Sequence, residues 1–160
     1  MSDISTSTWA PPSKIEELFA KTSGNQFAAI NSPVAGARSQ QEAVVGPAPL
    51  QLYSLGTPNG QKVSILLEEL GVEYDAHLIN IGKGDQFTSG FVAVNPNSKI
   101  PAMVDKEGPG GTAINVFESA SIMVYLAEKY GRFLPTDLRL RTEVFNWLFW
   151  QMGGLGPMCG

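Results

Sequence analysis

Thiol and imidazole side chains are almost absent from this sequence of 160 residues, which has one cysteine, Cys159, and one histidine, His77. A single cysteine excludes an intramolecular disulfide, a Cys-x-x-Cys redox pair and a zinc site made of cysteines. A single histidine excludes a histidine-rich metal site. We therefore expect neither a bound metal nor a catalytic cysteine, and we interpret Cys159 as a free thiol.

The sequence also lacks an excess of positive charge and long apolar runs. Its net charge is −4, which argues against nucleic acid as a partner. No apolar run reaches the roughly 18 residues that indicate a transmembrane helix. The polar N-terminus, MSDISTSTWAPPSK, does not have the pattern of a secretory signal. We expect a cytoplasmic protein with no membrane or nucleic-acid partner.

Residues 1–49 differ in composition from the rest of the chain. They contain five prolines and many Ser, Thr, Gln and Ala residues, with one short helical candidate at residues 15–21. This composition predicts an extended, partly ordered arm. Its most apolar part is QFAAINSPVAG, in which Phe27 and Ile30 are candidates for docking on a folded body.

A strand followed by a helix is predicted from residue 50. LQLYS, at residues 50–54, is typical of a strand, and Thr57 and Pro58 suit the N-cap and the first position of a helix. Apolar residues at positions 63, 66, 67 and 70 then give that helix one buried face, and Gly71 suits its end.

Three further strands and a second helix follow. Strands are predicted at residues 73–81, 101–105 and 113–118, with a polar loop after the first and a hairpin turn, GPGGT, between the other two. The second helix begins at Glu118 or Ser119 and stops at Gly131. The predicted fold is therefore α/β with the order β-α-β-β-β-α.

The last predicted helix begins near Asp137 and runs to about Met152. Its apolar residues lie nearly all the way round, which predicts burial on more than one side; they include Phe145, Trp147, Leu148, Phe149 and Trp150. Because the chain ends soon afterwards, we expect either a covering partner or a fragment of a longer protein, and the short chain is then expected to self-associate.

Several motifs, in order, resemble those of glutathione S-transferases. The resemblance extends to the nu-class, disulfide-bond-oxidoreductase group, which is related to the fungal nitrogen-catabolite regulator that forms a prion. It covers about residues 26–158, and its motifs are LQLYSLGTPNGQKVSILLEELG, IGKGDQF, NPNSKIPA, VFESASI and NWLFWQMGGLGPM.

The resemblance implies a thioredoxin-like, glutathione-binding domain at residues 50–135. Residues 1–49 would form the N-terminal arm, and residues 136–160 would begin an all-helical C-terminal domain that this chain largely lacks. It also implies a homodimer for the full-length form, with glutathione as cosubstrate and a small disulfide or an electrophile as substrate.

Thr57 and Asn59 are the residues to which the resemblance assigns the activation of sulfur. They lie at the N-terminus of the first helix, where the helix dipole and free N–H groups favour an anion. A hydroxyl or amide donor there would lower the thiol pKa of bound glutathione, so that the substrate supplies the thiolate. The alternative is that Thr57 only caps the helix.

The resemblance assigns the remaining glutathione contacts to four further segments. A cis Ile100–Pro101 bond would present the backbone of Ile100 to the peptide, and Glu118 and Ser119 would hold the γ-glutamyl end. Lys99 is a candidate because of its charge, and not because of the resemblance; it would attract the glycyl carboxylate. Asn31 and Gln86 are further contacts. In each case a structural alternative exists: a trans proline, a plain Ser N-cap, or polar side chains that face water. Gln151 lies one residue out of register with a family glutamine and is not included.

The expected function is glutathione-dependent thiol–disulfide exchange, with glutathione transfer to electrophiles as a secondary activity. One glutathione thiolate would attack a disulfide and a second would resolve the mixed disulfide. The alternatives are a non-catalytic glutathione-binding or regulatory protein, and an inactive truncated product.

Overall fold

Among the residues that the structure describes, four strands form one mixed sheet in the order β2-β1-β3-β4. The structure, a computed structural model, describes residues 36–159. β1 is parallel to β2 and antiparallel to β3, which is antiparallel to β4. The predicted thioredoxin-like order is confirmed, with the strands at Leu50–Ser54, Tyr74–Leu78, Ala102–Asp105 and Ile114–Phe117.

Five α-helices lie within residues 36–159, and the three that the sequence predicts begin at or next to their predicted N-terminal residues. The five helices are α1 (Pro58–Leu70), α2 (Ser89–Val94), α3 (Ser119–Tyr130), α4 (Leu138–Trp150) and α5 (Gly156–Cys159), with a π-helical turn at Gln151–Leu155. Thr57 caps α1 and Asp137 caps α4 through their side chains, while Gly71 and Gly131 end α1 and α3 in the left-handed conformation.

The short helix α2 lies in the stretch that the sequence predicts to be a polar loop. Thr88 caps it by accepting a 3.4 Å hydrogen bond from the backbone N–H of Phe91. Phe91 and Val94 are buried against the sheet, together with Tyr53 and Ala102. Burial of these apolar side chains stabilises a helix that is too short to be stable by itself.

Alternate residues of each strand pack on opposite faces of the sheet, as the pleat requires. Leu50, Leu52 and Met103 face α1 and α3, where the largest buried cluster also contains Val63, Leu66, Leu67, Leu70, Val116, Ile122 and Leu126. Tyr53 and Ala102 face α2. Because buried side chains pack on both faces of the sheet, they position the strand ends that adjoin the candidate site.

The last part of the predicted arm follows the α2 side of the domain. The backbone N–H of Arg38 donates to the carbonyl of Phe87 at 2.7 Å, and Ser39 forms an isolated parallel bridge with Thr88. The hydroxyl of Tyr53 donates to the carbonyl of Val44 at 2.8 Å. The predicted helix at residues 15–21 and the docking residues Phe27 and Ile30 lie outside the described residues.

Helix α4 has no buried residue within residues 36–159, although the sequence predicts burial on more than one side. Trp147, Phe149 and Trp150 are each more than half exposed. Self-association through this helix stays a prediction. No helix of the described part of the chain is long and apolar enough to cross a membrane.

Candidate functional site

The register of the sheet brings the predicted site segments to one end of it. Ser54, the last residue of β1, pairs with Leu78, the last residue of β2. Ala102, the first residue of β3, pairs with Tyr53 and also with Phe117, the last residue of β4. The segments at this end carry Thr57, Asn59, Gln86, Lys99, Ile100, Pro101, Glu118 and Ser119.

Thr57 and Asn59 lie in the turn from β1 into α1. The hydroxyl of Thr57 accepts a 3.3 Å hydrogen bond from the backbone N–H of Gly60, so its capping role is present. That bond uses a lone pair of the hydroxyl and leaves its proton available for a second bond. Asn59 is exposed in the first turn, where the positive end of the helix dipole favours an anion. The turn can therefore donate to an anionic ligand while it caps α1.

The bond between Ile100 and Pro101 is cis, as the resemblance implies. Pro101 is buried directly before β3, while Ile100 and Lys99 are half-buried. The carbonyl of Lys99 accepts a 2.6 Å hydrogen bond from the side-chain amide of Asn95, which fixes the preceding loop. In that loop Ser98 has a positive φ of 54°, and its buried hydroxyl has no hydrogen-bond partner within residues 36–159.

Glu118 and Ser119 form the junction between β4 and α3. Glu118 has a φ of 71°, a left-handed value that is uncommon for a residue with a side chain. Such backbone strain costs about 1–3 kcal/mol and is concentrated at functional sites. Glu118 is exposed, whereas Ser119 is only 2% exposed. The junction thus combines an exposed carboxylate with a buried hydroxyl.

Gln86 is buried rather than facing water. It is 4% exposed, and its amide N–H donates to the carbonyl of Ile81 at 3.3 Å. Its carbonyl oxygen Oε1 has no hydrogen-bond partner among the described residues. Because a buried acceptor without a partner is costly, a ligand N–H at this oxygen would be stabilising.

Beside Ser119 lie three residues whose proximity the sequence does not predict: Lys62, Gln151 and Met152. The ammonium group of Lys62 donates to Gln151 Oε1 at 2.7 Å and lies 3.3 Å from the sulfur of Met152. Burial lowers the pKa of Lys62, and the carboxylate of Glu118 opposes this change. Lys62 follows Asn59 by three residues on α1, a spacing that puts both on one helix face and is readable from sequence.

Cys159, His77 and Asn31 are the other residues that the sequence singles out. Cys159 is an exposed free thiol in α5. His77 lies on β2, with Nε2 2.8 Å from the side-chain oxygen of Gln51. Asn31 lies outside the described residues. Within residues 36–159, no group of three or more His, Cys, Asp or Glu side chains is arranged to hold a metal ion.

Residues 57–129 match the family described as glutathione S-transferase, N-terminal domain. Among curated proteins, the chain is 60% identical over 146 residues to the disulfide-bond oxidoreductase YghU of Escherichia coli (strain K12). That alignment covers 88% of this chain and 50% of the relative. The family match at residues 57–129 begins at Thr57 and ends inside α3, so it contains the candidate residues from Thr57 to Ser119.

Two solved structures are similar to the chain over most of its length. Glutathione transferase YghU from Streptococcus pneumoniae ATCC 700669, complexed with glutathione, is 48% identical with a TM-score of 0.78 and covers 92% of this chain and 57% of that one. A glutathione transferase from Pseudomonas putida, with one glutathione disulfide bound per subunit, is 50% identical with a TM-score of 0.69, covering 72% and 50%. The chain spans about half the length of the relatives it matches.

Proposed function

Because the chain carries a glutathione S-transferase N-terminal domain, we propose that it is a glutathione-dependent thiol–disulfide oxidoreductase. The E. coli relative is named a disulfide-bond oxidoreductase, and the two similar structures contain glutathione and glutathione disulfide. The main support for the proposal is the sheet register. It pairs Ala102 with Tyr53 and with Phe117, so the adjoining segments that contain Thr57, Pro101 and Glu118 lie at one end of the sheet.

The sulfur of glutathione lies at the N-terminus of α1 in this proposal. The hydroxyl of Thr57 and the amide of Asn59 donate to it, and the helix dipole favours its negative charge. All three interactions stabilise the thiolate more than the thiol, so they lower the pKa of the bound thiol. A protein cysteine is then unnecessary, which agrees with the position of Cys159 in α5, outside the candidate segments.

The peptide part of glutathione lies along the end of the sheet. The backbone of Ile100 pairs with the cysteinyl residue, and the unpartnered oxygen of Gln86 accepts a peptide N–H. The carboxylate of Glu118 pairs with the γ-glutamyl ammonium, and the hydroxyl of Ser119 donates to the neighbouring carboxylate. Lys99 attracts the glycyl carboxylate, and Asn31 is a further proposed contact.

The proposed reaction is two successive thiol–disulfide exchanges. A glutathione thiolate attacks a small disulfide, forms a new S–S bond and releases one substrate thiolate; a second glutathione thiolate then releases the other and leaves glutathione disulfide. The two electrons that reduce the substrate come from the two glutathione thiols. The protein binds the reactants and holds the attacking sulfur deprotonated, and conjugation of glutathione to an electrophile is a secondary activity.

The test measures glutathione binding by calorimetry and the glutathione-dependent reduction of 2-hydroxyethyl disulfide by the 160-residue chain. Thr57→Ala should lower turnover more than binding, because the hydroxyl acts on the thiolate and its transition state. Thr57→Ser is the matched control, since it keeps both the hydroxyl and the helix cap. Ser119→Ala should weaken binding by about 1–3 kcal/mol.

Each outcome of this test discriminates between the candidate functions. Binding with turnover supports the oxidoreductase. Binding without turnover, under conditions in which the E. coli relative is active, supports a non-catalytic glutathione-binding protein instead. Absence of both contradicts the proposal.

A further inference from the structure

Two hydrogen-bond donors from different helices converge on one sulfur atom beside the candidate site. The ammonium group of Lys62, on α1, lies 3.3 Å from the thioether sulfur of Met152. The hydroxyl of Ser119, the first residue of α3, lies 3.5 Å from the same atom. Since both donors reach one atom, a single small acceptor group can bridge them.

A thioether is a poor match for these two donors. Its sulfur is a weak acceptor, whereas an ammonium group and a buried hydroxyl form their strongest bonds with charged oxygen. A carboxylate has two oxygens and therefore provides one acceptor for each donor. The donors are preorganised, because Gln151 fixes the ammonium group at 2.7 Å and Ser119 is 2% exposed.

The charges around this point are complementary to an α-amino acid group. Lys62 is positive, and the carboxylate of Glu118 is close enough to affect its titration. An α-amino acid group carries an ammonium and a carboxylate on one carbon atom. Such a zwitterion can place its carboxylate between Lys62 and Ser119 while its ammonium group lies at Glu118.

We propose that Lys62 is a further binding residue, which pairs with the α-carboxylate of the γ-glutamyl group of glutathione at the position held here by the sulfur of Met152. The inference rests on the proposed function. It adds a charged donor from α1 to the hydroxyl of Ser119, and it requires the side chain of Met152 to move when the ligand binds. It also restricts the ligands to thiols with a free α-carboxylate.

The test compares two ligands that differ only in the carboxylate. Glutathione has it, and 4-aminobutanoyl-cysteinylglycine lacks it but keeps the amine and the thiol. Lys62→Met should weaken binding of glutathione about tenfold or more, because it removes a charged hydrogen bond. The same substitution should change binding of the analogue by less than about twofold, since the lost contact is already missing.

Control variants distinguish the effect of the charge at Lys62 from the effects of net charge and of misfolding on ligand affinity. Arg139→Gln, at an exposed position on α4, changes the net charge equally and should leave both affinities unchanged. Lys62→Arg keeps the charge and should bind glutathione within about threefold of the parent chain. Lys62→Gln provides a second neutral variant, and circular dichroism checks that each variant is folded.

Equal weakening of both ligands by Lys62→Met would overturn the inference, as would unchanged binding of glutathione. Failure of the proposed function is distinguishable, because it is seen in the parent chain as absent turnover before any substitution is made. A parent chain that binds neither ligand would overturn the inference as well. A selective loss for glutathione supports it.

Discussion

The carboxylate of Asp105, at the end of β3, accepts a hydrogen bond of 2.6 Å from the hydroxyl of Tyr125 on α3. It also accepts bonds from the ammonium group of Lys129 and, at 2.9 Å, from the backbone N–H of Glu107. Asp105 is fully buried. The bonds from Tyr125 and Lys129 join the sheet to α3 at the sheet end opposite the candidate site. Substitution of Asp105 therefore tests the stability of the fold without changing a residue of the site.

Asp105→Ala should lower the free energy of unfolding by about 3 kcal/mol, because Lys129 and Tyr125 lose their shared acceptor. Urea denaturation measures the change. Lys129→Met is the comparison, and its effect should be smaller because Asp105 keeps two donors. A loss below about 1 kcal/mol for Asp105→Ala would show that these bonds contribute little.

Stability should fall in acid because of the same carboxylate. Burial acts to raise the pKa of Asp105, but the bonds from Lys129 and Tyr125 outweigh it and hold the pKa below its ordinary value of 3.8. The stabilisation is therefore complete above the unfolded-state pKa and is lost as pH falls through the lower folded-state pKa. Urea midpoints from about pH 5 to about pH 2 should decrease less in Asp105→Asn, which has no titrating group there.

Gln51 joins the described arm to the sheet and gives a third prediction. Its side-chain oxygen accepts from the backbone N–H of Gly46 at 2.7 Å, and its amide donates to the carbonyl of Ala48 at 2.7 Å and to Asp75 at 2.8 Å. Gln51→Leu keeps the size but leaves these buried and partly buried groups unpaired, so it should cost about 2–3 kcal/mol.

Hydrogen exchange locates the effect of Gln51→Leu. The amides of Gly46 and Ala48 should exchange faster, while those of α3 should change only by the global loss of stability. Gln61→Leu, at an exposed position on α1, is the control and should leave both regions unchanged. Unchanged exchange at Gly46 would contradict this role of Gln51.

The parts of the fold that depend on local pattern were predictable from sequence. The strand from Leu50 and helices α1 and α3 follow from alternation, helical spacing and caps such as Thr57 and Gly131, all of which act within a few residues. The sequence does not predict helix α2, because six residues cover fewer than two turns and are too few for a periodic pattern.

The interior polar contacts were not predictable, since they join distant residues. Gln51 looks like an outward-facing strand residue, but the arm covers it. Gln86 sits in a loop of small and polar residues, yet the chain around it buries its amide. Lys62 and Met152 are ninety positions apart, and only the packing of the π-helical turn near α1 brings them together.

Gly60→Ala should disturb the candidate site through the backbone. A Cβ at Gly60 would lie 2.1 Å from the carbonyl oxygen of Leu55 and 2.4 Å from the hydroxyl of Ser54. The first turn of α1 must therefore shift, and Thr57 and Asn59 shift with it. Although alanine favours helix by about 1 kcal/mol over glycine, we expect a net loss of stability and weaker glutathione binding.

The control for Gly60→Ala is Gln61→Ala, one position further along α1 at an exposed site. It changes helix propensity without the close approach and should leave glutathione affinity unchanged. Calorimetric affinity and urea midpoints of both variants decide the matter. A Gly60→Ala chain that is as stable as the parent and binds glutathione equally well would show that the turn after β1 tolerates the shift.

Because the backbone of Glu118 is strained, substitutions at this position should affect stability and glutathione binding differently. The φ of 71° at Glu118 is accessible to glycine at little cost but is unfavourable for alanine. Glu118→Gly should therefore be about 1 kcal/mol more stable than Glu118→Ala. Both variants lose the carboxylate, so both should lose glutathione affinity by the same factor. Glu118→Gln should lose the same affinity if only the charge of Glu118 pairs with the ligand ammonium. Urea denaturation and calorimetry on the three variants test this. A glycine variant less stable than the alanine variant would contradict the strain, whereas unequal affinities would show that the backbone conformation, and not only the charge, contributes to binding.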